Sequence, residues 1–150
     1  MNQKEFCKTI SSLVRVIRTE YGFTQDQMAL IMGISKKTLV ETEKKRRELS
    51  WTEAAAFVSI FSQSAILQNE LGGEAGDMLR AIAFADHKIT YPRTMGGRVW
   101  WRNVEEKGGL RIQQNIISQH YRLLDSNDGR IMSSFSLNDI QEYIKENYHG

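Results

Sequence analysis

The stretch that decides the fold runs from Phe23 to Leu49, FTQDQMALIMGISKKTLVETEKKRREL. Thr24 stands three residues before Gln27, the pairing of a capping box, and Phe23 and Met28 sit where a hydrophobic staple needs them. A short helix therefore starts at Thr24. Gly33 suits the left-handed turn that ends a helix, Ser35 can cap a new helix almost at once, and Ile34 with Leu39 supplies a second staple. Two short helices meeting across a glycine turn are the local signature of a helix-turn-helix.

Upstream, Phe6, Ile10, Leu13, Val14, Ile17 and Tyr21 recur at spacings of three and four, which makes one buried helical stripe ending at Gly22. Downstream, Ser50 and Glu53 form another capping box ahead of the apolar face of Ala54, Phe57, Val58 and Phe61. SQSAILQNEL predicts a fifth helix, after which Gly72, Gly73 and Gly76 mark a break. Met78, Leu79, Ile82 and Ala83 share a face over 77–87 and predict a helix that connects two units. From Arg98 the pattern turns to strands, with hairpin signals at Gly108–Gly109 and Asp128–Gly129 and a partial alternation through Leu110, Ile112 and Ile116. Ser136 caps a last helix whose Leu137, Ile140, Ile144 and Tyr148 can cover one sheet face. The expected fold is α+β: an all-α five-helix domain over 1–72, a connector with a helix over 73–97, and a small antiparallel β-meander with a terminal helix over 98–150.

At 150 residues, 41% apolar and 25% charged, the chain has the composition of a soluble globular protein with room for two small cores. It contains no run near the roughly 18 apolar residues of a membrane span and no secretory signal, so a cytoplasmic location without a membrane partner is expected. The lone Cys7 lies at helical spacing from Ile10 and Val14 and reads as core. A net charge of +2 is too small to name a nucleic-acid partner, but Lys36, Lys37, Lys44, Lys45, Arg46 and Arg47 crowd into one segment opposed by Glu41 and Glu43. Alone, such a run is better read as a solvated helix face, and the alternative for the whole set is a helical protein-interaction domain with a basic face.

From about Leu13 to Phe61 the chain resembles the Cro and lambda-repressor family, also called Xre-like regulators, through VIRTEYGFTQDQMALIMGISKKTLVETEKKRREL. The resemblance implies that the helix beginning at Ser35 enters the DNA major groove while the helix before it crosses the phosphate backbone. It implies that Gln25 donates to a phosphate, that Lys36, Lys37 and Glu41 occupy base-reading positions, and that Arg18 pairs with Glu43 to join the first helix to the third. Side-chain chemistry supports this assignment independently. Lysine donates to guanine O6 and N7, and Glu41 can accept from cytosine N4 while phosphates repel it, so it should discriminate rather than attract. Thr38 can reach the backbone or a thymine methyl, and Lys44, Lys45, Arg46 and Arg47 would hold phosphates. The chain lacks the glycine that many such sequences place after Glu43, so a longer exit from the third helix is expected.

The implied function is that of a sequence-specific transcriptional regulator, a bacterial or phage repressor or autoregulator, with double-stranded DNA and a second copy of the chain as partners. The alternative is a bifunctional autoregulator whose second unit binds and inhibits a protein, as an antitoxin or phage anti-defence inhibitor does. The resemblance does not extend beyond about Gly72. Trp100 and Trp101, flanked by Arg98 and Arg102, could stack on single-stranded bases, yet adjacent strand residues face opposite sides, which favours packing for at least one. His87, His120 and His149 are scattered without metal-ligand spacing, and His120 near Asp125 and Asp128 competes with a plain turn explanation. No catalysis, metal or cofactor is expected.

Overall fold

Asn2 accepts the Glu5 backbone N–H at 2.8 Å and opens α1 (Gln3–Glu20), whose Phe6, Ile10, Val14 and Ile17 are buried as their spacing requires. Five more helices follow in the first unit, α2 (Gln25–Met32), α3 (Lys36–Glu43), α4 (Trp51–Ile60), α5 (Ala65–Leu71) and α6 (Ala75–Ala83). This is the computed structural model of the chain, and it describes residues 1–87 and 100–148. The chain divides into units Met1–Tyr91 and Pro92–Gly150. Arg98, His149 and the connector segment from 88 to 97 lie outside the described residues. Among the described residues, no helix is long and apolar enough to cross a membrane.

Among the described residues the first unit holds six helices, the five expected over 1–72 and the one expected over 77–87. The helix expected to connect the units is α6, and it packs on α4 and α5. Ala75 and Ile82 are two helical turns apart and join the core that contains Phe6, Met28, Leu39, Phe57 and Leu67. The glycines before it turn the chain back onto this core, and the helix ends at Ala83 rather than running to His87. A long-range contact holds the turn before α5: Glu20 accepts from Ser64 Oγ at 2.5 Å and from the Ala65 N–H at 3.0 Å. Cys7 lies in the same core, where burial and then the Glu48 charge push its thiol pKa up.

The second unit is a meander of β1 (Trp101–Lys107), β2 (Leu110–Asn115), β3 (Tyr121–Leu124) and β4 (Arg130–Ser134), antiparallel and in sequence order. Gly108 and Gly109, at φ +60° and +82°, form the two-residue turn whose twist matches the strands it joins. At the β3–β4 turn, the Asp125 carboxylate accepts the N–H groups of Asn127 and Gly129 at 2.9 and 2.8 Å. Ser136 caps α7 (Leu137–Asn147), which packs on β3 and β4. Ile140 of α7 meets Ile112 and Leu123 in a small core, with Val104, Leu110, Tyr121, Ile131, Met132 and Ile144 around them. The register skips one residue in each outer strand, Val104 in β1 and Ile131 in β4, and both extra residues turn into this core. Ile116 and Tyr148, expected on the apolar stripes, fall past the ends of β2 and α7 and are exposed.

Because Ile140 is, with Ile112 and Leu123, one of the enclosed side chains of that core among the described residues, Ile140→Ala should cost the second unit about 2–5 kcal/mol. Native-state hydrogen exchange checks this residue by residue. The amides of β2 and β3 should lose protection while those of α1 and α3 keep theirs. An equal loss in both would mean that the two units unfold as one.

Candidate nucleic-acid interface

The capping box expected from Thr24 and Gln27 is present in both directions: the Gln27 N–H donates to Thr24 Oγ1 at 3.1 Å and the Thr24 N–H to Gln27 Oε1 at 2.9 Å. Phe23 packs on the core beside the fully buried Met28, which fixes where α2 begins. At its other end Gly33 takes φ +67°, a left-handed conformation that costs glycine nothing, and the Ile34 N–H reaches back to the Ala29 carbonyl at 3.0 Å. The chain therefore reverses within two residues. Ser35 then accepts the Thr38 N–H at 3.0 Å and starts α3.

What happens at the far end of α3 fixes its orientation. Arg18 of α1 donates from Nε to Glu43 Oε2 at 3.0 Å and from Nη2 to Oε1 at 2.9 Å, while its Nη1 reaches the Phe23 carbonyl at 2.9 Å. The Glu43 side chain is only 4% exposed and that of Arg18 17%. One guanidinium thus joins α1, the turn before α2 and the last turn of α3, in the forked geometry that arginine alone provides.

With both ends held, α3 has two distinct sides. Leu39 and Thr42 are buried, whereas Lys36 and Lys37, the first two residues of the helix, are exposed. Lys36 Nζ lies 3.2 Å from Asp26 Oδ1 across the turn, an exposed pair; Lys37 has no ion-pair partner among the described residues. Glu41 is half-buried and 3.7 Å from Arg46 Nη1. Thr38 is half-buried too, and its hydroxyl accepts from Ser35 Oγ at 2.9 Å, so it belongs as much to the cap as to the surface. Gln25 is half-buried at the start of α2.

The basic segment after Glu43 is partitioned by the fold. Arg47 donates to Glu53 Oε1 at 3.1 Å, and that carboxylate also serves the cap of α4 by accepting the Ser50 N–H at 2.9 Å. Burial works to raise the Glu53 pKa, but the Ser50 N–H and the Arg47 guanidinium outweigh it and hold it below the ordinary value. That contribution to stability is complete above the unfolded-state pKa and fades as acid titrates the folded carboxylate. Lys44 and Lys45 stay exposed. α3 ends at Glu43 although no glycine follows it. Lys45 itself takes the left-handed conformation, φ +61°, and the Arg46 N–H closes on the Glu41 carbonyl at 3.0 Å as Ile34 does on Ala29. A lysine fills a position that glycine fills at lower cost.

Several contacts had no local signal in the sequence. Asp26 reaches Lys36 through the tertiary turn, and the Leu49 N–H donates to Ser11 Oγ at 2.8 Å over 38 residues. His120 and Asp125 sit before and after β3, so the His120, Asp125 and Asp128 cluster considered from the sequence is not assembled. His120 instead lies 5.0 Å from the Trp101 ring, and Asp128 pairs with Arg111. Comparison of the chain with protein-family models, with curated proteins and with solved structures finds no match.

Arg18→Met or Glu43→Gln should each cost about 3–5 kcal/mol, because each leaves a buried group without its partner. Urea melts of the full chain measure it, and a loss below about 1 kcal/mol for both would give the pair the value of a surface contact. Lys45→Gly should move the other way, stabilising by about 0.5–1 kcal/mol as the left-handed penalty is lifted, offset in part by the freer unfolded chain. An unchanged or lower urea midpoint for Lys45→Gly would show that the lysine backbone is unstrained.

Proposed function

We propose that the chain is a sequence-specific transcriptional regulator of the Cro and lambda-repressor-like type, which binds double-stranded DNA as a homodimer with α3 in the major groove. The observation that carries the reading is the two-sidedness of α3. Its Leu39, Thr42 and Glu43 face the protein, and its capped first turn presents Lys36 and Lys37 outward. The leading turn of a recognition helix is the part that reaches base edges, and lysines there donate to guanine O6 and N7. Glu41 discriminates against bases that cannot donate to it. Lys44, Lys45 and Arg46 remain at the surface to meet phosphates, with Gln25 at the start of α2. Arg47 is the weakest of these candidates, since binding DNA would compete with its bond to Glu53.

One short helix reads too few base pairs to select a site in a genome, so two copies entering successive grooves are required. The second reading, an autoregulator whose second unit binds and inhibits a protein, draws on a groove of about 840 Å³ between α7 and the β1–β2 hairpin. Leu110, Ile112, Ile144 and Tyr148 line it together with Glu105, Lys107 and Lys145.

Lys36→Ala and Lys37→Ala should each weaken specific binding by about 1–3 kcal/mol with much less effect on random duplex. Lys36 should fall at the lower end, because DNA must first displace Asp26 from it. Footprinting should show an approximately palindromic site with half-sites about 34–36 Å apart, or a multiple of that. An unchanged ratio of operator to random affinity in both variants would remove the base-reading role. Protection of one asymmetric half-site by a monomer would remove the dimer.

A further inference from the structure

The face of the second unit's sheet that α7 leaves open carries a constellation that duplex reading by α3 does not use. Ile112, Leu123 and Met132 point toward α7, so their strand neighbours point away. Cross-strand pairing then lines up Asn103, Gln113, Arg122 and Ser133 in one row, and Arg111, the buried Leu124 and Arg130 in the next. The Arg122 guanidinium lies 3.8 Å from the centre of the Trp101 ring and donates to Gln113 Oε1 from Nε and Nη2 at 3.0 and 2.8 Å. Its scaffold is neutral. Burial, and after it the charges of Arg130 and Arg111, pull the Arg122 pKa down from its ordinary value, though an arginine stays charged throughout. Arg111 pairs with Asp128, but neither Arg122 nor Arg130 has a carboxylate partner among the described residues. Arg122 and Arg130, like charges without a carboxylate to neutralise them, repel one another and leave a field suited to an anion.

At the end of the same face the Trp101, His120 and Phe135 rings follow one another at 5.0 and 5.8 Å. Phe135 is 79% exposed, a large apolar ring left in water two residues along the chain from Ser133, the cross-strand partner of Arg122. We propose that this open face binds single-stranded nucleic acid, with phosphates on Arg111, Arg122 and Arg130 and a base stacked on Phe135. Unpaired bases offer a flat apolar surface and a phosphate on every unit, which matches rings beside guanidiniums. A duplex hides its base faces and has no use for Phe135, and an acidic peptide has none for a ring platform. The amide row of Asn103 and Gln113, joined at 2.9 Å, supplies donors and acceptors for base edges.

The test uses the full chain and an oligothymidylate or oligouridylate of about 12 nucleotides, within the site size of small single-strand binders, read by anisotropy and tryptophan fluorescence. Phe135→Ala changes an exposed residue and should weaken binding about tenfold, with circular dichroism unaltered. Combined Arg111→Gln and Arg130→Gln should flatten the slope of log affinity against log salt by about 1.4, and Arg130→Gln alone by about half of that. Lys36→Ala with Lys37→Ala should leave oligonucleotide binding unchanged, which separates this inference from the helix-turn-helix reading: loss of duplex recognition alone would sink only the latter. No oligonucleotide binding at low salt would overturn the proposal. So would binding removed by the lysine substitutions but not by those on the sheet. The same holds if Phe135→Ala dissociates a dimer without any single-strand binding in the parent, which would make the face a contact between copies.

Discussion

The fork between Arg18 and Glu43 is the constraint on which the outward half of the first unit depends. A helix of eight residues is too short to hold itself in water, so the direction of α3 is set by what grips its ends. At its start the grip is covalent geometry, a reversal at Gly33 and a cap at Ser35. At its finish it is one guanidinium that also ties down the Phe23 carbonyl. Because Glu43 is held from behind, Lys36 and Lys37 at the other end of the helix are held from behind as well. The pair is itself largely enclosed, yet it aims the residues that would touch a ligand.

Much of this was legible in the sequence where the signal was local. The capping boxes at Thr24 and Ser50, the cap at Ser35 and the two-glycine hairpin turn each depend on residues within a few positions of one another, and each formed as read. Apolar spacing placed α1, α4 and α7 for the same reason. Failures came where a local rule met a tertiary demand. Glycines around 72–76 read as a break between units, but a break in helix is not a break in core, and Ala75 with Ile82 carried α6 back onto α4. The absence of glycine after Glu43 read as a longer exit from α3; Lys45 adopts the glycine conformation, because the closing bond from Arg46 to Glu41 is still there to be made. Tyr21, expected on the α1 stripe, is partly exposed yet stacks edgewise on Phe61 at 5.1 Å.

The candidate site divides along the same line. That Lys36 and Lys37 would lead α3 outward followed from the cap alone. That Asp26 would hold Lys36, or that Glu53 would hold Arg47, required the turn and the α4 cap to bring them together. In the second unit, Trp101 was weighed as core against stacking platform, and it is neither a buried core residue nor a bare surface: a half-buried ring carries an arginine on the face away from α7. Cross-strand neighbours such as Arg111 and Arg130 are brought together by register, which alternation within one strand does not specify.

The irregularities in β1 and β4 bear on how this protein can self-associate. These are the two outer strands, and an outer strand presents unpaired N–H and C=O groups that invite another chain to add itself. Here each is interrupted by one inserted residue, Val104 or Ile131, which bends the strand and breaks the regular ladder. β1 further bears Arg102, Glu105, Glu106 and Lys107, charges that a docking strand would have to desolvate. The sheet is thus poorly suited to growing by edge addition, the route that leads to open-ended aggregates. Pairing of two such units is therefore favoured through faces over edges, and a face contact that is the same on both copies is closed and self-limiting.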